Sequence, residues 1–300
     1  MATISAWLVS FRLRTLPLAL STIIVGSFLA AFHHQFKWSV FILAVLTTLF
    51  LQILSNLAND YGDTKNGVDN QDRQGPKRSL QTGAITLSQM KTAIIIFISL
   101  SLISGVGLIF TGTKGLHLTY GWGFFVLGIA AIIAAMKYTM GKNPYGYAGL
   151  GDVFVFIFFG LVGTIGTYFL HTHEMPLRAF LPAMTMGFFS TGVLNLNNIR
   201  DNDNDALHGK NTLVVKAGIQ VAKYYHAALL IAGMFCTILY SLKSGASIYQ
   251  WIYLPAFIGI IRSIKVVNNN ENPAALDVEL KYLALSTLIF ALLFGVGLLV

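Results

Sequence analysis

Two clusters of acids and amides repeat at helical spacing: Asn56, Asn59, Asp60 and Asp63, and then Asn197, Asn198, Asp201 and Asp205. On a helix, Asn56, Asp60 and Asp63 fall at i, i+4 and i+7 with Asn59 alongside. Asn197, Asp201 and Asp205 fall at i, i+4 and i+8 with Asn198 adjacent, so each set makes one stripe. Asp203 falls off the second stripe and reads as solvated. Carboxylates and amides without nearby His or Cys form a hard oxygen site. Such a site suits Mg2+, an ion that keeps waters and shares its shell with phosphate oxygens. The pair of clusters points to a diphosphate gripped between two metal sites, with Asp60, Asp63, Asp201 and Asp205 as ligands. Helix capping is the bland alternative for either cluster alone. Two matched clusters at the ends of apolar spans, where acids are rare, argue against it.

Basic side chains are interleaved with the acids. Arg73, Lys77 and Arg78 follow the first cluster, Lys137 closes an apolar stretch, and Arg200 and Lys210 flank Asp201 and Asp205. Such groups clamp phosphate oxygens and stabilise a departing diphosphate; the alternative is that they mark topology or meet lipid. Other motifs fail. Asp201, Asp203 and Asp205 imitate a calcium loop, but Ala206 and Thr212 stand where Gly and Glu are required. Gly209, Lys210 and Thr212 lack the Gly-Lys-Ser/Thr run of a phosphate loop. His33, His34, His171 and His173 lack zinc spacing and read as interfacial.

The elements that must position these residues are membrane helices. A mean hydropathy of +0.67, with 55% hydrophobic and 11% charged residues, places the chain in the polytopic membrane class and predicts an all-α bundle in a lipid bilayer. Nine transmembrane helices are predicted, at residues 16–32, 38–57, 93–110, 116–136, 153–170, 179–194, 224–242, 248–264 and 283–300. They form a single domain over 1–300. The first stretch has a long polar lead and eight successors, so it reads as a retained helix rather than a signal peptide. Cys236 stands alone, which excludes an intrachain disulfide and a cysteine metal cluster. Gly160, Gly163 and Gly166 predict close helix packing.

With the amino terminus in the cytoplasm, sixteen of the 20 Lys and Arg fall on that side, against Lys37, Lys114, Arg178 and Lys243 outside. This is the bias the positive-inside rule requires, and it accounts for the +8 net charge without nucleic acid. The same assignment puts both acid clusters on the cytoplasmic side of a multi-pass protein. They lie four spans apart, a spacing that preserves direction and predicts a parallel internal repeat. A cation-coupled transporter is the rival reading, although transporter sites lie nearer the midplane than these acids.

The motifs resemble the UbiA superfamily of intramembrane prenyltransferases. Residues 56–72, NLANDYGDTKNGVDNQD, carry N-D-x-x-D, and residues 198–213, NIRDNDNDALHGKNTL, carry D-x-x-x-D followed by G-K-x-T-L. Within the superfamily the resemblance is to the branch that prenylates 1,4-dihydroxy-2-naphthoate in menaquinone biosynthesis. That choice rests on N-D-Y-x-D with Gly67 and Asp69, on the N-N-x-R-D lead, and on YTMGKNPYGYAGLGD at 138–152. The motifs R-x-R-T-L-P at 12–17 and GPKRSLQTG at 75–83 agree.

The resemblance implies a bacterial cytoplasmic-membrane enzyme. It would transfer a polyprenyl group from its diphosphate to the naphthoate, with Mg2+ on Asp60, Asp63, Asp201 and Asp205 and with Asn59 and Asn198 in support. Diphosphate and CO2 would leave, giving demethylmenaquinone. Asn56, Asn197, Arg73, Lys77, Arg78, Lys137 and Lys210 are the further head-group candidates. Tyr138, Tyr145 and Tyr147 could line the acceptor site or form an interfacial aromatic belt. Asp152, where relatives commonly carry Glu, or Asp69 or Asp72, could deprotonate the acceptor. A 4-hydroxybenzoate or homogentisate acceptor is the alternative within the family. Donor length and oligomeric state are not encoded in these motifs.

Overall fold

The computed structural model describes residues 2–69, 76–245 and 247–300, and among these there is no strand. Nine helical segments of the described residues are long and apolar enough to cross a membrane.

The first span contains α1 (Ile4–Phe11) and α2 (Leu16–Phe32). Thr3 caps α1 by accepting the Ala6 N–H at 3.3 Å, and Pro17 suits the first turn of α2. Between them Arg12 holds a left-handed backbone (φ 50°, ψ 57°), uncommon outside glycine, which turns the chain and throws the guanidinium inward. α3 (Trp38–Lys65) is followed by α4 (Leu87–Gly112), which opens on a Thr86/Gln89 capping box, and by α5 (Leu118–Lys137). The fifth span joins α6 (Gly151–Val155), a π-helical stretch Phe156–Gly166 and α7 (Thr167–Thr172). α8 (Phe180–Leu207), the short α9 (Leu213–Ala217), α10 (Ile219–Ser244), α11 (Ala256–Asn268) and α12 (Leu276–Leu299) complete the bundle.

Helix length places the chemistry. α3 and α8 each have 28 residues, about 42 Å at 1.5 Å per residue. A hydrocarbon core spans roughly 30 Å, so the polar last turns of both helices extend beyond it. This explains why the sixth apolar stretch is short by sequence: the remainder of that helix is acids and amides. The expected internal repeat is not confirmed beyond this correspondence.

Two apolar cores flank the interior. The larger joins α2, α8, α10, α11 and α12 around Phe189, Tyr253, Phe290 and Phe294. The smaller joins α1, α3 and α4 around Leu54, Leu57 and Met90. Close packing occurs where the sequence predicts it: a Cβ on Gly160 would lie 2.7 Å from Gly187 Cα, so the fifth span rests directly on α8. At the far end His171 Nε2 lies 3.2 Å from Ser27 Oγ while its Nδ1 accepts the Lys37 N–H at 3.0 Å; His173 lies 2.9 Å from the Gly112 carbonyl. These histidines tie helix ends together.

Gly62 lets the backbone at Thr139 approach the acid-bearing end of α3. A Cβ there would meet the Thr139 carbonyl oxygen at 2.6 Å, while Thr139 Oγ donates to Ala58 O at 3.1 Å. Gly62→Ala should therefore cost about 1–3 kcal/mol through overpacking. The expected readout is a lower thermal midpoint of the detergent-solubilised protein, and an unchanged midpoint would show that this contact yields freely.

Candidate active site

Two cavities meet at the acid-bearing ends of α3 and α8. The apolar one, about 350 Å³, follows α3 from Asn59 back to Ala44, about 22 Å of helix, with walls from α2, α4, α5 and the π-helical stretch. The polar one, about 160 Å³, takes Asn59 and Asp63 from α3 and Asn197, Asp201 and Asp205 from α8, with Arg12, Arg78 and Lys210 around them. Arg12, Gln52, Asn59, Tyr138, Phe159 and Leu194 line both, so they form the neck between a charged head pocket and an oily channel.

The backbone draws the two helix ends together. Asn204 Nδ2 donates to the Val68 carbonyl at 2.9 Å, tying α8 to the turn after α3. Lys210 then bridges the clusters, its Nζ 3.4 Å from Asp205 and 3.8 Å from Asp63. Tyr147 donates its hydroxyl to Asp63 at 2.8 Å, and the Asn211 N–H reaches the Tyr147 carbonyl at 3.1 Å.

Cations accompany the buried acids, as the desolvation penalty demands. Asp60 is paired with Arg12 and lies 3.4 Å from Arg78, whose loop is pinned to α1 by a 2.7 Å bond from Ser79 to Ala6 O. Arg200 holds Asp201 in a bidentate pair at 2.8 and 2.7 Å. Burial disfavours the Lys210 ammonium, but Asp63 and Asp205 outweigh it and hold this lysine above its usual range. Burial pushes the Tyr138 phenol up to about 12, so it keeps its proton at neutral pH. Tyr145 and Tyr147 are raised for the same first reason, burial, with Asp63 adding to it at Tyr147.

The donor set fits a hard divalent cation. Asp60 Oδ2, Asp205 Oδ2 and Asn198 Oδ1 are buried oxygens without a hydrogen-bond partner. Among the described residues no three His, Cys, Asp or Glu already converge as a cage, since cations of the chain occupy the acids.

The predicted residues separate accordingly. The second stripe is as expected, with Asn197, Asp201 and Asp205 on the wall and Asp203 exposed. The first is turned by about one position. Asn59 and Asp63 face the polar cavity, whereas Asp60 lies behind Arg12 and Arg78, fully buried and on neither cavity wall. Asn56 lines the channel and also ties α3 to the first span, donating to Phe11 O at 2.9 Å and Thr15 at 3.1 Å. Asn198 is buried beside the wall rather than on it.

Lys77 and Lys137 are exposed and line neither cavity, so the structure places them with the surface cations. Arg73 and Asp72 lie outside the described residues. Asp152 is buried near Tyr225 of α10 and lines neither cavity. Tyr138 and Tyr145 line the channel; Tyr145 stacks on Phe154 at 4.0 Å. The residues missed from sequence are Arg12 and Gln52 at the neck, Arg14 on the polar wall, and Asp277 behind it. Both arginines precede an apolar stretch and so read as topology markers.

The profile of the UbiA prenyltransferase family matches residues 19–288. The chain belongs to this family. Among UbiA relatives, the 1,4-dihydroxy-2-naphthoate octaprenyltransferase of Escherichia coli strain K12 is 43% identical over 292 residues, 97% of this chain and 94% of that one. The protein of the same description from Haemophilus influenzae is 39% identical over 98% of this chain and 96% of its own. The UbiA homologue from Archaeoglobus fulgidus bound to GPP and Mg2+ shares the fold at a TM-score of 0.67 and 16% identity, over 98% of this chain and 100% of that one. The apo UbiA homologue from Aeropyrum pernix K1 gives 0.66 at 18% identity, over 96% and 98%.

Lys210→Met would leave Asp63 and Asp205 facing each other without their shared cation, at an expected cost of about 3–5 kcal/mol. The loss should show as a lowered thermal midpoint. It should be partly recovered as pH falls from about 8 to 5, because protonating one carboxylate removes the repulsion. The variant should gain more over that window than the wild type, whose ammonium stays charged and keeps both carboxylates partnered; equal pH response in both proteins would count against the bridging role.

Proposed function

We propose that the chain transfers a polyprenyl group from a polyprenyl diphosphate to 1,4-dihydroxy-2-naphthoate, releasing diphosphate and CO2 and giving the hydroquinone, a demethylmenaquinol. The single observation that carries this is the meeting of the two acid-bearing helix ends on one charged pocket that opens into a long apolar channel. That shape matches a substrate with an anionic head and an oily tail. The acceptor is assigned from the two relatives at 43% and 39% identity, which carry this activity in their descriptions.

Asn59, Asp63, Asp201 and Asp205 would hold Mg2+, with Asp60 and Asn198 offering their unpartnered oxygens. Held there, Mg2+ would supply positive charge to a departing diphosphate; the Archaeoglobus homologue is bound to GPP and Mg2+. Arg12, Arg78 and Lys210 are paired with acids in this state. With those acids holding metal, the same cations would turn to phosphate oxygens. The allylic carbon then sits at the neck, where its bond to the diphosphate oxygen breaks as the electron-rich ring carbon bonds to it. The ring loses CO2 from that carbon and recovers aromaticity. Tyr138 donates a hydrogen bond at this point, and the apolar walls of Phe159 and Leu194 exclude water. The positive-inside bias of the Lys and Arg supports a pocket on the cytoplasmic side of a bacterial membrane.

The test is a membrane assay with labelled prenyl diphosphate, Mg2+ and each of dihydroxynaphthoate, 4-hydroxybenzoate and homogentisate, following lipid product and CO2. Product with CO2 release from the naphthoate alone is the expected result; prenylation of another acceptor in its place would overturn the assignment. Asp63→Ala and Asp201→Ala should each lower turnover by about a thousandfold or more with the protein still inserted. Near-normal turnover in either would refute the ligand assignment.

A further inference from the structure

Asp277 is an acid that the motifs leave unused, and the fold carries it to the back of the site. It stands in the first turn of α12, where the helix dipole favours an anion. Arg14 donates to both of its oxygens, at 2.9 and 2.8 Å, and Arg200 donates to Oδ1 at 2.7 Å through Nη1. The other edge of the Arg200 guanidinium grips Asp201, and Nη2 also donates to Asn197 at 2.9 Å. The Arg200 side chain is fully buried. The result is a row of alternating charge, Arg14, Asp277, Arg200, Asp201, in which only the last carboxylate is a proposed metal ligand. Leu280 and Ala284, on the same face of α12 as Asp277, line the polar cavity, as do Arg14 and Asp201 at the two ends of the row, so Asp277 and Arg200 stand directly behind its wall.

We propose that Asp277 is a positioning residue for the second acid cluster: by sharing Arg200 it limits the arginine's hold on Asp201 and so sets how readily Asp201 turns to a divalent cation. A guanidinium answering two carboxylates binds each less strongly than one answering a single carboxylate. Without Asp277, Arg200 has one remaining anion, and Asp201 is withdrawn from the pocket chemistry. Asp277 touches neither cavity and reaches the pocket through its two arginines, of which only Arg200 holds a proposed metal ligand. The inference rests on the metal–diphosphate reading above.

The experiment is a Mg2+ titration of a non-reacting geranyl thiodiphosphate bound to the full-length protein in detergent, read by calorimetry, with thermal midpoints measured alongside. Asp277→Asn should raise the Mg2+ needed for half-maximal binding about five- to tenfold, and Asp277→Glu should restore it to within about twofold of wild type. A fall in thermal midpoint with an unchanged Mg2+ requirement in Asp277→Asn would reduce Asp277 to a structural ion pair and overturn the proposal. If Asp277→Asn does not fold, Asp277→Glu and Asp277→Ser carry the same comparison. Absence of any Mg2+-dependent binding by the wild type would instead remove the reading on which the inference stands.

Discussion

Carboxylates gathered at one end of a membrane bundle must each be neutralised, and that constraint shapes everything around the polar cavity. Asp60, Asp63, Asp201, Asp205 and Asp277 are drawn from three helices separated in sequence, and Arg12, Arg14, Arg78, Arg200 and Lys210 are brought to them from four segments. Buried ion pairs add little stability over apolar packing, because desolvation takes back most of the attraction. Their retention here is better explained by exchange: a metal and a diphosphate bring opposite charges that can take over both halves of each pair. The cavity's acids and cations balance one another without substrate, and in the proposed reaction they would remain balanced with different partners.

The fold supports this by setting helix lengths against the bilayer. α3 and α8 are long enough to begin in hydrocarbon and end in polar turns, so one pair of helices builds both the channel wall and the head pocket. The left-handed turn at Arg12 lets the first span contribute a cation at the neck, where the reacting carbon would lie. Strain of this kind, of order 1–3 kcal/mol, persists only where surrounding contacts hold it, and here Asn59 and Asp60 do.

Much of the architecture was legible in the sequence because hydropathy and helical period are local signals. The nine spans, the continuation of the second and sixth spans into their acid clusters, and the stripe of Asn197, Asp201 and Asp205 all follow from spacing. The first stripe was turned by about one position, because Asn59 and Asp60 are adjacent and only the packing of α1 and the loop carrying Arg78 decides which faces the cavity. Asp277 pairs with Arg14 and Arg200 across separations of 263 and 77 residues, which no periodicity reveals. Lys77 and Lys137 resembled Arg78 and Lys210 in type and setting, yet a one-residue difference in a loop separates an exposed lysine from a buried arginine. Asp152 looked like a base in the motif and is buried off both cavity walls, near Tyr225 on a helix the motif does not include.

The central claim is that both acid clusters close on one metal-bound head group. It is tested most directly by determining the structure with Mn2+ and a non-reacting prenyl thiodiphosphate and locating the metal by its anomalous signal. The account predicts manganese against Asp63 and against Asp201 and Asp205, with the diphosphate between them and Lys210 turned from carboxylate to phosphate. Metal on one cluster alone, or a head group bound away from the neck that joins the two cavities, would contradict it.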